Sequence, residues 1–160
     1  MTNNGQLWLF HEHCGFKSIP PPMDTLGFGK LMLSCANGDG RITPAERAWV
    51  LGFLDAFGTD PGVLETLRTY DGKEDVVAII AASPTVKLSA TSALYEAVRA
   101  CSADGELHQD EIATLRRAAK AMGLESPTVV RDLIDLHQDE QHIRQKRLRH
   151  IYPDGIPFQD

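Results

Sequence analysis

Apolar residues recur along this chain every three or four positions, the spacing that gathers them on one face of an α-helix. Val50, Phe53, Leu54 and Phe57 make one such stripe, and Val86, Ala90, Ala93, Leu94, Ala97, Val98 and Cys101 make a longer one. Ile112, Leu115, Ala119 and Met122 form a third, and Val130, Leu133 and Ile134 a fourth. Boundary residues bracket them. Thr43-Pro44-Ala45-Glu46 joins an N-cap threonine, a proline suited to the first helical position and a glutamate placed to close a capping box, and Gly58 ends that helix. A helix is expected from about Asp24 to Ala36, although Gly27 and Gly29 weaken it. Asp60-Pro61 opens a short helix that stops at Asp71-Gly72, Ser83-Pro84 opens a long one, and Ser126-Pro127 opens the last. The run Val76-Val77-Ala78-Ile79-Ile80 suits a strand or a buried helix; with no second strand-like run to pair with it, helix is expected.

The pattern therefore predicts an all-α bundle of about seven helices. Residues 1–22 are expected to be an irregular lead-in, 23–152 the helical domain and 153–160 a tail. Within the lead-in, Ser18-Ile19-Pro20-Pro21-Pro22 should be stiff and extended. Trp8-Leu9-Phe10 is expected to pack against the bundle.

One phrase occurs twice, 65 residues apart. Asp39-Gly40-Arg41-Ile42 with Glu46, and Asp104-Gly105-Glu106-Leu107 with Glu111, both follow D-G-x-[I/L]-x-x-x-E. The correspondence continues through Ala48 and Ala113, Val50 and Leu115, Ala56 and Ala121, Phe57 and Met122, to Gly58 and Gly123. Similarity sustained from turn to helix end predicts a fold of two pseudo-repeated halves, with Ile42 and Leu107 both buried. Each copy sets a turn carboxylate near a helix-start carboxylate.

Those carboxylates have two readings. Asp before Gly closes a turn, and Glu at the third helical position favours the helix dipole, so Asp39, Glu46, Asp104 and Glu111 suit purely structural roles. Duplication adds the second reading: a pseudo-symmetric pair of halves would bring all four acids to one side, where they must share protons or bind a divalent cation. An EF-hand fits poorly. Counting back from Gly40 and Gly105 puts Cys35 and Ala100 where calcium needs its first anionic oxygen.

The phrases Cys35-Ala36-Asn37-Gly38-Asp39-Gly40-Arg41-Ile42-Thr43-Pro44-Ala45-Glu46 and Cys101-Ser102-Ala103-Asp104-Gly105-Glu106-Leu107-His108-Gln109-Asp110-Glu111 resemble the two repeats of TerB-like tellurite-resistance proteins. So does Ala118-Ala119-Lys120-Ala121-Met122-Gly123-Leu124, and the resemblance spans roughly residues 23–152. It implies a seven-helix bundle with an acidic face that binds a divalent metal through Asp39, Glu46, Asp104 and Glu111. It further implies membership in a bacterial stress-response system with membrane and cytosolic protein partners. Asn37-Gly38 departs from the family, which usually has a small residue before Asp-Gly.

Charge and composition narrow the alternatives. A net charge of −6 argues against a general nucleic-acid binder. Arg144, Lys146, Arg147 and Arg149 crowd one stretch; setting them aside leaves 12 of the 16 basic residues against 22 acidic ones. That stretch suits either a solvated helix end or an adaptor for anionic lipid or RNA. Three dispersed cysteines, no secretory leader and no long apolar run point to a reduced, cytoplasmic protein, peripheral to the inner membrane at most through partners. His11-Glu12-His13-Cys14 lacks a second ligand pair at zinc-site spacing and belongs with a surface lead-in. A carboxylate-bridged metalloenzyme is the enzymatic alternative, but no glutamate here has a histidine three residues on. No nucleophile or phosphate-loop motif is present, so no enzyme activity and no small-molecule substrate is expected.

Overall fold

The computed structural model describes residues 4–18 and 23–157. Among them there are nine α-helices and no strand: α1 (Asn4–Cys14), α2 (Thr25–Ala36), α3 (Pro44–Ala56), α4 (Pro61–Thr69), α5 (Val76–Ala82), α6 (Pro84–Leu88), α7 (Ala90–Cys101), α8 (Gln109–Ala121) and α9 (Val129–Ile151). A short 3₁₀ turn, Asn37–Asp39, follows α2. Several of these helices start where a side chain meets an otherwise orphaned backbone N–H. Asp24 accepts from Gly27 N at 2.8 Å, Asp60 from Gly62 N at 2.7 Å and Asp75 from Val77 N at 3.1 Å.

The duplication is written into the helix boundaries. Displacing α2 by 65 residues gives the bounds of α7, and displacing α3 by the same amount gives those of α8. The two equivalent helices α2 and α7 cross at the centre of the bundle. Leu31, Met32, Leu33, Cys35 and Ala36 of α2, and Leu94, Ala97, Val98, Ala100 and Cys101 of α7, have no exposed surface. A side chain of leucine size contributes about 1.5–3 kcal/mol when fully buried, so this crossing is the main apolar anchor. Small residues such as Ala36, Ala97 and Ala100 let the two backbones approach. α3 lies against α2 and α4, α8 against α5 and α7, and α9 against α7 and α8. Val50 and its counterpart Leu115 are both fully buried. Ile42 and Leu107 pack on the core where each turn re-enters the bundle, but each is only partly buried where full burial was expected.

Three expectations need correction. Residues 4–14 of the expected irregular lead-in are helical, because Phe10 is buried edge-on against Phe57 at 4.7 Å and stacked near Phe16. That packing outweighs the weak local signals. Trp8 is 65% exposed, so only Leu9 and Phe10 of the apolar triplet face the bundle. The long helix expected after Pro84 breaks at Ser89, whose hydroxyl donates to the Thr85 carbonyl at 2.8 Å and competes with the helical ladder. The break and α1 account for nine helices where about seven were expected. The expected extended prolines, Pro20 to Pro22, lie outside the described residues.

Asn37-Gly38, the departure from the family pattern, has a steric cause. A Cβ at position 38 would lie 2.7 Å from Glu111 Cα and 2.8 Å from Asp110 O. The first loop thus rests directly on the backbone that opens α8. Gly52, on the exposed side of α3, has open space at its Cβ position. Gly38→Ala should therefore cost about 1–3 kcal/mol through overpacking. Gly52→Ala should stabilise by roughly 0.5–1 kcal/mol through helix propensity. Urea denaturation of both variants checks the pair; equal stabilities would refute the close approach.

Candidate metal centre

Each Asp-Gly turn is built the same way. Gly40 and Gly105 adopt positive φ of 96° and 94°, a region open to glycine. Asp39 Oδ1 accepts from Arg41 N at 3.1 Å, and Asp104 Oδ1 from Glu106 N at 3.0 Å. At the helix starts, Glu46 Oε2 accepts from Thr43 N at 2.6 Å and Glu111 Oε2 from His108 N at 2.7 Å. One oxygen of each acid is therefore committed to its own turn or cap. The structural reading of these residues is right as far as those oxygens go.

The two glutamates meet across the two halves. Glu46 is 2% exposed and Glu111 has no exposed surface, and their carboxyl groups lie within hydrogen-bonding reach of each other. The outer acids act crosswise: the charge of Asp104 falls on Glu46, and that of Asp39 on Glu111. With both glutamates ionised there is no hydrogen between them, and Glu111 Oε1 is buried without a partner. Burial, followed by the bond to Glu46 and the charges of Glu46 and Asp39, pushes the Glu111 carboxyl up to about 8, against the pull of the His108 N–H. Burial also raises Glu46, with the Thr43 bonds opposing it. Sharing one proton turns a repulsive contact into a hydrogen bond.

The floor of this site is thiol. Cys35 and Cys101 are fully buried and interact with each other and with Glu111. Burial pushes Cys35 up to about 12 and Cys101 well above its ordinary value, so both are protonated packing groups. At the rim, His108 Nε2 lies 3.8 Å from Asp39 Oδ2 and 3.5 Å from Glu106 Oε2, and Arg41 Nε lies 3.6 Å from Asp39 Oδ2. Sequence reasoning missed His108 and Arg41. The crosswise geometry holds the signal, since a two-fold relation sets each loop beside the other copy's helix start.

The donor set is all hard oxygen at the pair, which suits calcium, magnesium or manganese better than zinc. Among the described residues, no group of three or more His, Cys, Asp or Glu side chains is arranged to hold a metal ion. His11, His13 and Cys14 serve otherwise: His13 lies between Glu96, at 3.1 Å, and Arg99, at 2.8 Å, against the rings of Phe53 and Phe57. The basic residues 144–149 are exposed apart from Leu148.

The carboxyl pair makes stability depend on pH in a stated direction. Because Glu111 is raised in the folded state, its contribution is fully present below the unfolded value near 4.5 and is lost as pH rises through about 8. Without divalent ions, the wild type should lose stability relative to Glu111→Gln between pH 5 and pH 8. A tenfold difference in proton affinity between folded and unfolded chains corresponds to about 1.4 kcal/mol. The variant's melting temperature should therefore exceed the wild type's by several degrees at pH 8 and match it at pH 5. Parallel melting curves across that range would show that the glutamates titrate independently.

No helix among the described residues is long and apolar enough to cross a membrane. No family model and no curated protein matches the chain. Among solved structures, a tellurite resistance protein from Nostoc punctiforme superposes with a TM-score of 0.83. The two are 37% identical, and the match covers 96% of each chain. Agreement in sequence and fold over nearly the whole length places this chain in the TerB-like family of tellurite-resistance proteins.

Proposed function

We propose that this protein is a non-enzymatic stress-response module whose acidic seam, Asp39, Glu46, Asp104 and Glu111, binds a divalent cation weakly, and that it acts through protein partners. The observation that carries the reading is the buried pair of glutamates with an unpartnered oxygen on Glu111. Two carboxylates in one dry space require a positive charge between them, and a proton and a divalent ion are the two candidates. Glu46 and Glu111 would supply one oxygen each, with Asp39 and Asp104 flanking through their outer oxygens or through water. The ion would contribute charge compensation between the halves. Affinity should be modest, because half of the carboxylate oxygens are already committed to backbone N–H groups.

The non-enzymatic part of the proposal rests on the same commitment. A carboxylate tied to its own cap is positioned to hold the fold and poorly free to shuttle protons to a substrate. Action through partners is supported by large apolar side chains left in solvent, notably Trp8 and Ile143, each 65% exposed. A cytoplasmic location in a bacterial cell completes the proposal, with any membrane association through partners.

Calorimetry with calcium, magnesium and manganese tests the cation directly. An ion at a hundred times its Kd adds about 2.7 kcal/mol to the folded state, which is a rise of roughly 5–10 °C for a domain of this size. Asp39→Asn with Asp104→Asn keeps shape and turn formation while removing charge. That double variant should fold, melt slightly higher than wild type without ions, and lose most of the ion-dependent rise. A wild type whose melting is indifferent to all three ions would leave the acids as turn and cap residues only.

A further inference from the structure

A second polar feature lies apart from the glutamate pair. An open cleft of about 780 Å³ is bounded by α9, by Arg99 of α7, by Trp49 of α3 and by the loop that leads into α8. That volume is in the range of sites for small organic ligands and exceeds what a bare ion needs. α9 dresses its side of the cleft selectively. It contributes His137, Gln138, Gln141, His142, Arg144 and Gln145, whereas its acids Asp132, Asp135, Asp139 and Glu140 all lie outside the lining. One wall is anionic, because Glu106 borders the cleft from the loop.

The charges are not equivalent. Arg99 is spoken for: it pairs with Glu96 at 3.2 Å and lies over the Trp49 ring at 5.2 Å. The Arg144 side chain has no hydrogen-bond or ion-pair partner among the described residues, and neither do the side chains of Gln138, Gln141 and Gln145. His137 is 8% exposed, and its Nδ1 is buried without a partner. A run of unpaired donors around a free guanidinium, in a chain whose net charge is −6, is the chemistry that recognises an oxyanion. A cation would meet Arg144 and Arg99, and a purely apolar ligand would strand the amides.

We propose that this cleft binds a small organic anion through a phosphate or carboxylate group, with Arg144 as the counter-charge and Gln141 and Gln145 hydrogen-bonding the ligand's polar part. The proposal stands independently of the cation reading. The loop of residues 102–107 carries Asp104 on the acidic seam and forms a wall of the cleft, so the two sites share one segment of backbone.

The test is an NMR titration without divalent ions, using inorganic phosphate, pyrophosphate and citrate against sodium chloride at matched ionic strength. The expected result is saturable movement of the Gln141 and Gln145 side-chain amides and the Gly105 backbone amide with at least one of the three anions. Phosphate probes acting alone assign a phosphate ligand; citrate acting alone assigns a carboxylate. Arg144→Gln should weaken that binding by about tenfold, as loss of a charge-assisted contact does. Arg147→Gln removes the same charge from outside the lining and should leave affinity within about twofold, since an unpaired exposed charge acts only weakly at a distance. Absence of saturable movement with all three anions overturns the proposal. So does equal weakening by the two variants, which would mean diffuse attraction to the basic end of α9.

Discussion

Glu46 and Glu111 reach from the first turns of equivalent helices into one buried space, and much of the organisation around them follows from that encounter. Each is fixed by the backbone N–H of its own N-cap, so neither swings away without uncapping α3 or α8. Each also sits where the crossing of α2 and α7 has excluded water, above two buried thiols. Hydrophobic packing therefore forces together two groups whose charges oppose the packing. With both glutamates charged the contact between the halves is weakened, and the aspartates at the rim add to the repulsion.

Much of this was legible in the chain, for a physical reason. The doubled D-G-x-[I/L]-x-x-x-E phrase encodes local structure: a glycine for the turn, an apolar residue for re-entry and a glutamate for the cap. Local chemistry repeated at a fixed separation predicts equivalent helices, and α2 with α7 and α3 with α8 keep that separation residue for residue. Two-fold reasoning pointed to the encounter of Glu46 with Glu111, and the charges of Asp104 and Asp39 act on that pair crosswise. What stayed hidden was tertiary. α1 is held by Phe10 against Phe57, a contact between residues far apart in sequence. The break at Ser89 depends on one hydroxyl choosing a backbone carbonyl. Gly38 looked like a blemish in the family phrase, yet it is the residue that lets the first loop rest on the start of α8.

The duplication is structural more than chemical, because the halves diverge outside the shared core. The second half is extended by α9, a 23-residue helix, where the first has the 9-residue α4. That extra length creates the cleft beside Trp49 and carries the unpaired Arg144. Pseudo-symmetry thus accounts for the glutamate pair, and departure from symmetry for the cleft. The loop of residues 102–107 carries Asp104, whose charge acts on Glu46, and also walls the cleft.

The central claim is that Glu46 and Glu111 form one coupled site, and carboxyl carbon-13 NMR on the protein labelled at glutamate tests it most directly. Titrated without divalent ions, the two side-chain resonances should move together in two steps, with one proton retained by the pair until about pH 8. Replacing either residue by glutamine should collapse the two steps into one. Two independent single-step curves near the ordinary glutamate value would contradict the account, because carboxyl groups that titrate so are neither buried together nor in want of a cation.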